Sequence, residues 1–219
     1  MGPFQTGNTF EKSVAEQLLK LKYKGLPIQV LGCAGASKGT DVRFKIGLQN
    51  YALEAKTKGG FEAGQKKFKL INGALTFPDE CLHSTLLPGY IPFGGLIPPF
   101  LQRRMTKDEW IAVKHLYPDE YTAVTSLDLV ARYYNTQGSS YIQIEGYGLY
   151  KTSEDDPLEL GVPIISCKAK VRVRCKEHAS SPLSMSVNCS INYDKTSLVR
   201  SSYCLLSRLP PNLSLTASA

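Results

Sequence analysis

The sequence contains six cysteines but no C-x-x-C pair, and its three histidines (His83, His115, His178) do not fall at zinc-ligand spacing. A zinc site therefore finds no support in the spacing. No apolar run approaches the ~18 residues of a membrane span, and no basic-then-apolar signal opens the chain, so no membrane partner is expected. The expectation is a soluble intracellular protein of cytoplasm or nucleus. Internal repeats are absent. With 42% hydrophobic and 21% charged residues, wholesale disorder is excluded. Cys33, Cys81, Cys167, Cys175, Cys189 and Cys204 are spread through apolar segments of a chain too large to need stapling, so buried free thiols are expected.

A length of 219 residues suits one domain with a full core, or a compact core carrying an elaboration. The net charge of +7 and pI near 9.0 favour an anionic partner. That charge is unevenly placed. Residues 1–60 hold nine Lys/Arg against four Asp/Glu, residues 61–120 are balanced, and residues 121–219 carry an excess of two. The excess therefore surrounds the stretch from Asp41 to Lys56, as a polyanion substrate requires.

That stretch alternates. On a strand, Val42, Phe44 and Ile46 share one face, and Asp41, Arg43 and Lys45 share the other. If Gly47–Asn50 forms a four-residue loop, Ile46 opposes Tyr51, Phe44 opposes Leu53 and Val42 opposes Ala55. In that register Arg43 opposes Glu54 and Asp41 opposes Lys56. One face is apolar and the other gathers Asp41, Glu54 and Lys56. An ordinary amphipathic hairpin with a solvated charged face has the same alternation. Two carboxylates and an amine on a shared edge also suit a hard divalent cation beside an activated water.

The flanking pattern predicts a helix capped by Asn8 or Thr9, with Phe10, Val14, Leu18 and Leu21 on one stripe and Lys20, Lys22 and Lys24 crowding its end. A short strand over Ile28–Leu31 follows, then the hairpin, then a second helix from about Phe61 to Ala74. Residues 82–100 read as a long Pro/Gly-rich excursion. Thr106 and Glu109 form a capping box for a helix through Leu116, and Ser126 caps another from Leu127 to Tyr134. Strands are expected over Tyr141–Glu145, Gly148–Lys151, Ile164–Lys176 and Met185–Tyr193, the last two as a long hairpin. The tail after Leu209 reads as frayed.

The order helix, strand, acid-bearing strand, Glu-x-Lys strand, helix resembles the core of the PD-(D/E)XK nuclease superfamily, which includes type II restriction endonucleases and archaeal Holliday-junction resolvases. The resemblance covers roughly residues 8–75. Asp41, Glu54 and Lys56 occupy the three motif positions, and Gly39-Thr40-Asp41 stands where the family commonly has Pro-Asp. The resemblance implies an α/β fold: a restriction endonuclease-like core with a central mixed β-sheet flanked by helices, plus a β-rich C-terminal elaboration. Residues 1–120 would form the core with the inserted 82–100 loop, 121–209 the elaboration used in nucleic-acid recognition, and 210–219 a flexible tail.

The same resemblance implies a Mg²⁺-dependent DNA endonuclease, with Mn²⁺ able to substitute and no organic cofactor. Asp41, Glu54 and Lys56 would be catalytic, joined by Gln65, and the metal ligands would be Glu11, Asp41, Glu54 and the Ala55 carbonyl. Glu11 has a second reading, as the partner of Asn8 in a capping box. Nucleic-acid contacts are expected from Ser37, Lys38, Lys58, Lys66, Lys67, Arg103, Arg104 and Arg132 with Tyr133-Tyr134. The ladder Lys168, Lys170, Arg172, Arg174, Lys176 joins them, with edge protection as its alternative. A homodimer on DNA is implied, since cutting both strands at once needs two sites. A junction-resolving or structure-selective nuclease on the same core, or a non-catalytic nucleic-acid-binding module, are the alternatives.

Overall fold

The first helix begins earlier than its polar residues imply. In a computed structural model describing residues 3–33, 40–59, 62–77, 81–178 and 183–216, α1 runs Pro3–Leu19. Proline suits the first helical turn, where its missing N–H has no partner to lose. Asn8 lies inside this helix, so the capping-box reading of Asn8 and Glu11 falls. Phe10, Val14, Ala15 and Leu18 recur at helical spacing and are buried in one core with Val42, Phe44, Leu53 and Ala55.

Strands follow: β1 (Leu21–Tyr23), β2 (Leu26–Cys33), β3 (Val42–Ile46) and β4 (Gln49–Lys56). The chain then departs through β5 (Glu62–Ile71), β6 (Ala74–Thr76), α2 (Leu82–Leu86), α3 (Lys107–Val113) and β7 (Glu120–Val124). It returns as α4 (Leu129–Thr136), β8 (Tyr141–Ile144) and β9 (Gly148–Lys151). A second excursion makes β10 (Ala169–His178) and β11 (Ser184–Tyr193), before β12 (Leu213–Leu215). Two interleaved units result, Met1–Phe61 with Leu127–Lys168 and Asp194–Ala219, and Glu62–Ser126 with Ala169–Tyr193. Each draws on both sides of residue 120, where the sequence led us to expect a boundary.

The first unit is built on a seven-stranded sheet in the order β12-β1-β2-β3-β4-β8-β9. Its pairs are antiparallel except β4 with β8, which is parallel, so the sheet is mixed and the α/β class holds. Two tight hairpins shape its first half. Lys24 and Gly25 both have positive φ between Tyr23 and Leu26, so Lys22 and Lys24 lie on a hairpin and not at a helix end. The β3–β4 turn needs only Gly47 and Leu48, because Gly47 adopts φ +58° and Ile46 pairs with Gln49. The expected register is thus displaced by two residues: Phe44 pairs with Tyr51, Arg43 with Ala52 and Val42 with Leu53. An even displacement leaves every side chain on its expected face. Continued one step, it sets Asp41 opposite Glu54 instead of Lys56.

The tail is also corrected. Leu213–Leu215 pairs with β1, and Leu213 is buried, so this part of the chain after Pro210-Pro211 is tied down as a sheet edge.

The second unit is a five-stranded antiparallel sheet in the order β6-β5-β11-β10-β7. Its core gathers Phe68, Phe93, Trp110, Tyr117, Val171, Val173 and Val187. The helix expected over residues 61–74 is instead the β5–β6 hairpin. Asn72-Gly73, both at positive φ, makes its turn, and Phe68 and Leu70 alternate inward. The Thr106–Glu109 capping box is present at the start of α3, and the β10–β11 hairpin forms as expected. Over Ala169–Val173, β10 is paired on both sides, so the edge-strand account of its cations fails there.

All six cysteines are free thiols. Cys167 and Cys189 are buried, which pushes each thiol up to about 12, whereas Cys33 is exposed against expectation. Among the described residues no helix is long and apolar enough to cross a membrane.

One position tests this architecture. Gly148 opens β9 at φ +116°, and a Cβ there would sit 2.6 Å from the Tyr203 carbonyl oxygen and 2.8 Å from Ser201 Cβ. Gly148→Ala is expected to cost about 2–4 kcal/mol, read by urea denaturation. Loss of less than about 0.5 kcal/mol would contradict the close approach.

Candidate active site

The start of β3 places the first acid. Val42, the first residue of β3, pairs with Leu53 of β4, and just before it Asp41 extends the ladder with its side chain. Its Oδ2 accepts a hydrogen bond from the Ala55 amide at 3.0 Å, a role the β3 backbone would otherwise fill. The Ala55 carbonyl shares that edge of β4, since the N–H and C=O of one strand residue point the same way.

The same Oδ2 accepts from Lys56 Nζ at 2.9 Å, and Lys56 Nζ also meets Glu54 Oε2 at 2.9 Å. One ammonium thus bridges two carboxylates. All three groups are largely withdrawn from water, with side-chain exposures of 15% for Asp41, 7% for Glu54 and 21% for Lys56. Glu54 and Lys56 project from the face opposite Leu53 and Ala55, so α1 covers the apolar face while α4 lies over the polar one. The Tyr134 ring stands 5.6 Å from Lys56 Nζ, a cation–π contact. After α4, Gly138 takes φ +77° and Ser139 N donates to the Tyr134 carbonyl. This turn brings Ser139 Oγ to 3.4 Å from Glu54 Oε1, where it donates.

Charge in the cluster is not balanced. Burial raises the Glu54 carboxyl above its ordinary range, Lys56 opposes the rise, and the Asp41 charge adds to it. Glu11 is pushed up to about 7, first by burial and then by Asp41 and Glu54, with Lys56 opposing. Burial alone would lower Lys56, but Glu54 and Asp41 outweigh it and hold the ammonium above its usual value. Burial also raises the Tyr133 phenol, with a further push from Glu54. Three acids therefore face one ammonium, and the surplus is met by protons or by another cation.

A hard divalent ion fits the donor chemistry of this set, because every candidate ligand is an oxygen. Asp41, Glu54 and the Ala55 carbonyl would hold it. As placed here, Lys56 lies between the carboxylates, and no three His, Cys, Asp or Glu side chains among the described residues converge closely enough to hold a metal. Glu11 joins through its charge, not as a positioned ligand.

The remaining sequence candidates are scattered. Gln65 lies on β5 of the second unit, where its Oε1 accepts from Lys176 Nζ, and Lys66 and Lys67 are exposed beside it. Lys58 is exposed, and its backbone N–H donates to Glu145 Oε2. Arg103 pairs with Glu109, while Arg104 and Arg132 are exposed. In the ladder, Arg172 is engaged by Asp119 and Glu62, and Arg174 by Glu62, so acids already compensate both arginines. Lys168 and Lys170 remain exposed. Ser37 and Lys38 lie outside the described residues. Tyr133 and Tyr134 belong to the Lys56 cluster, away from the surface role that the basic Arg132 neighbour implied. Ser139 carried no sequence signal.

The raised acids set a pH dependence. Glu11 and Glu54 keep their protons to higher pH in the fold than in the unfolded chain, so stability falls as pH rises from about 4.5 to about 7 and levels off above. Without divalent ions, the Tm should drop between pH 5 and pH 8, and the double variant Glu11→Gln, Glu54→Gln should flatten that drop. Identical slopes in wild type and variant would contradict the crowding of acids.

No family model, no curated protein and no solved structure matches this chain.

Proposed function

We propose that the first unit is a divalent-cation-dependent nuclease that hydrolyses phosphodiester bonds in DNA. The observation that carries this reading is the meeting of Asp41 and Glu54 on the Lys56 ammonium at the end of two neighbouring strands. The mixed sheet with α1 and α4 of the same unit supports it, since the core that the motif implies is likewise a central mixed sheet with helices. The helix that follows the Glu-x-Lys strand in this unit is α4, reached after residues 62–126 have formed part of the other unit.

Each residue then has a task. Asp41 and Glu54 hold the cation, Mg²⁺ or Mn²⁺, with the Ala55 carbonyl. Bound there, such an ion supplies polarisation of a phosphoryl oxygen and a lowered pKa for water. Lys56 is a fixed donor at the junction of both carboxylates, placed to orient the attacking water and to offset charge growing on the phosphate. Ser139 steadies Glu54, and Tyr134 confines the Lys56 side chain. Burial of the cluster keeps competing water away from these donors and strengthens their electrostatics. Cutting both strands of a duplex calls for two copies of the chain.

The direct test is incubation with plasmid, linear duplex and four-way-junction DNA, with Mg²⁺ or with EDTA. Cleavage should need the metal. Asp41→Ala and Lys56→Ala should each lose at least ~10²-fold in rate, and Ser139→Ala roughly 10-fold. Discrete fragments from linear duplex mark a restriction-like enzyme, and preference for the junction marks a resolvase. Absence of metal-dependent cleavage on any of these substrates would sink the nuclease reading.

A further inference from the structure

Beside the acid cluster, the polar face of β2, β3 and β4 carries a groove of about 550 Å³. Leu31, Arg43, Asn50, Tyr51, Ala52, Gly138 and Ser140 line it. Its size falls in the range of small-ligand sites, ~300–1,000 Å³. Its lining residues neighbour the cluster through two links. Ala52 precedes Glu54 by two residues on the same strand face, a rise of about 7 Å. Ser140 N donates to the Ala52 carbonyl, and its neighbour Ser139 donates to Glu54.

Arg43 is the distinctive group in this groove. It is exposed, pairs with Ala52 across the hairpin, and takes part in no ion pair among the described residues. The arginines of β10 are matched to acids, whereas this one is not. A β-bulge shapes its surroundings. Val30 pairs with Phe44 and Gly32 with Arg43, so Leu31 is the extra residue and turns outward into the groove at 53% exposure. A Cβ on Gly32 would lie 4.0 Å from Arg43 Nη2, which places the guanidinium over bare backbone. Along β3 the same face reads Asp41, Arg43, Lys45. An acid stands at the cluster end, and cations follow at alternate positions, about 7 Å apart. Leu31 and Ala52 add an apolar wall beside the polar Arg43, Asn50 and Ser140. A polynucleotide strand has this same combination, with regularly spaced anions and apolar sugar between them.

We infer that this groove is the track of a polynucleotide strand, and that Arg43 grips the phosphate next to the one held at the acid cluster. The assignment of the cluster end to the cut phosphate rests on the nuclease reading above. Arg43 is the natural choice for that contact, since its planar fork pairs with phosphate oxygens in two hydrogen bonds.

The test separates binding from cutting. Fluorescence anisotropy in EDTA measures affinity for a labelled oligodeoxynucleotide, single-stranded and duplex, across a salt series. Wild type is compared with Arg43→Ala, Arg43→Lys and, as an equal change in charge elsewhere on the first unit, Lys20→Ala. Arg43→Ala should weaken binding about 10-fold and reduce the slope of log K against log salt by roughly 0.7–0.9. Arg43→Lys should restore most of the slope, and Lys20→Ala should resemble wild type. Competition by inorganic phosphate or a mononucleotide should be feeble beside competition by unlabelled oligonucleotide. An unchanged slope in Arg43→Ala, or an equal loss in Lys20→Ala, overturns the track. If cleavage proceeds normally alongside that result, the nuclease reading stands without it. Arg43-dependent binding with no cleavage by wild type would keep the track and discard the nuclease.

Discussion

One ammonium shared by two carboxylates is the interaction on which the first unit turns. Lys56 Nζ lies 2.9 Å from both Asp41 and Glu54, and a group so withdrawn from water is stable as a cation only because those charges face it. Removing it would leave two crowded acids without a counter-charge, and breaking a buried pair of this kind costs about 3–5 kcal/mol. The surroundings serve this arrangement. The two-residue turn at Gly47 sets the strand register that brings Asp41 across from Glu54. The left-handed turn at Gly138 delivers Ser139 to Glu54, and α1 brings Glu11 within reach of the same field.

How much of this could be read from the chain depends on which physical rule was in play. The faces of β3 and β4 were legible because strand alternation survives any even shift in register. The pairing partner was not, because it depends on turn length, and that hinged on one positive φ at Gly47. Glu11 was expected as a metal ligand through the family resemblance; the structure gives it a charge coupled to Asp41 and Glu54, and its rival role as a cap could be rejected only once the helix was seen to start at Pro3. The following helix was misplaced for a different reason. Phe61, Phe68 and Ile71 fall at a spacing compatible with a helix, whereas Asn72-Gly73 demands a hairpin, and the turn chemistry won. The helix that covers the site is α4, separated from Lys56 in sequence by most of the second unit.

The basic ladder shows the limit of pattern alone. Its alternation was correct: Val171 and Val173 are buried while Arg172 and Arg174 point the other way. Their counter-charges, Glu62 and Asp119, come from remote parts of the chain and were invisible in the local pattern. Arg43 was expected opposite Glu54 in the hairpin register and instead stands opposite Ala52 beside a groove, with no ion pair among the described residues. Long-range partners, more than local propensity, decide which cations are available to a substrate.

We propose that the surplus of negative charge around Lys56 serves to hold a divalent cation. Isothermal titration calorimetry with Mn²⁺, in two buffers of different ionisation heat at pH 6 and pH 8, tests it most directly. The account predicts saturable binding that releases protons at pH 6, since Glu11 titrates near 7 and Glu54 is raised with it, and little release at pH 8. Binding should vanish in the double variant Asp41→Asn, Glu54→Gln. Undiminished binding in that variant, or no binding by the wild-type chain, would contradict it.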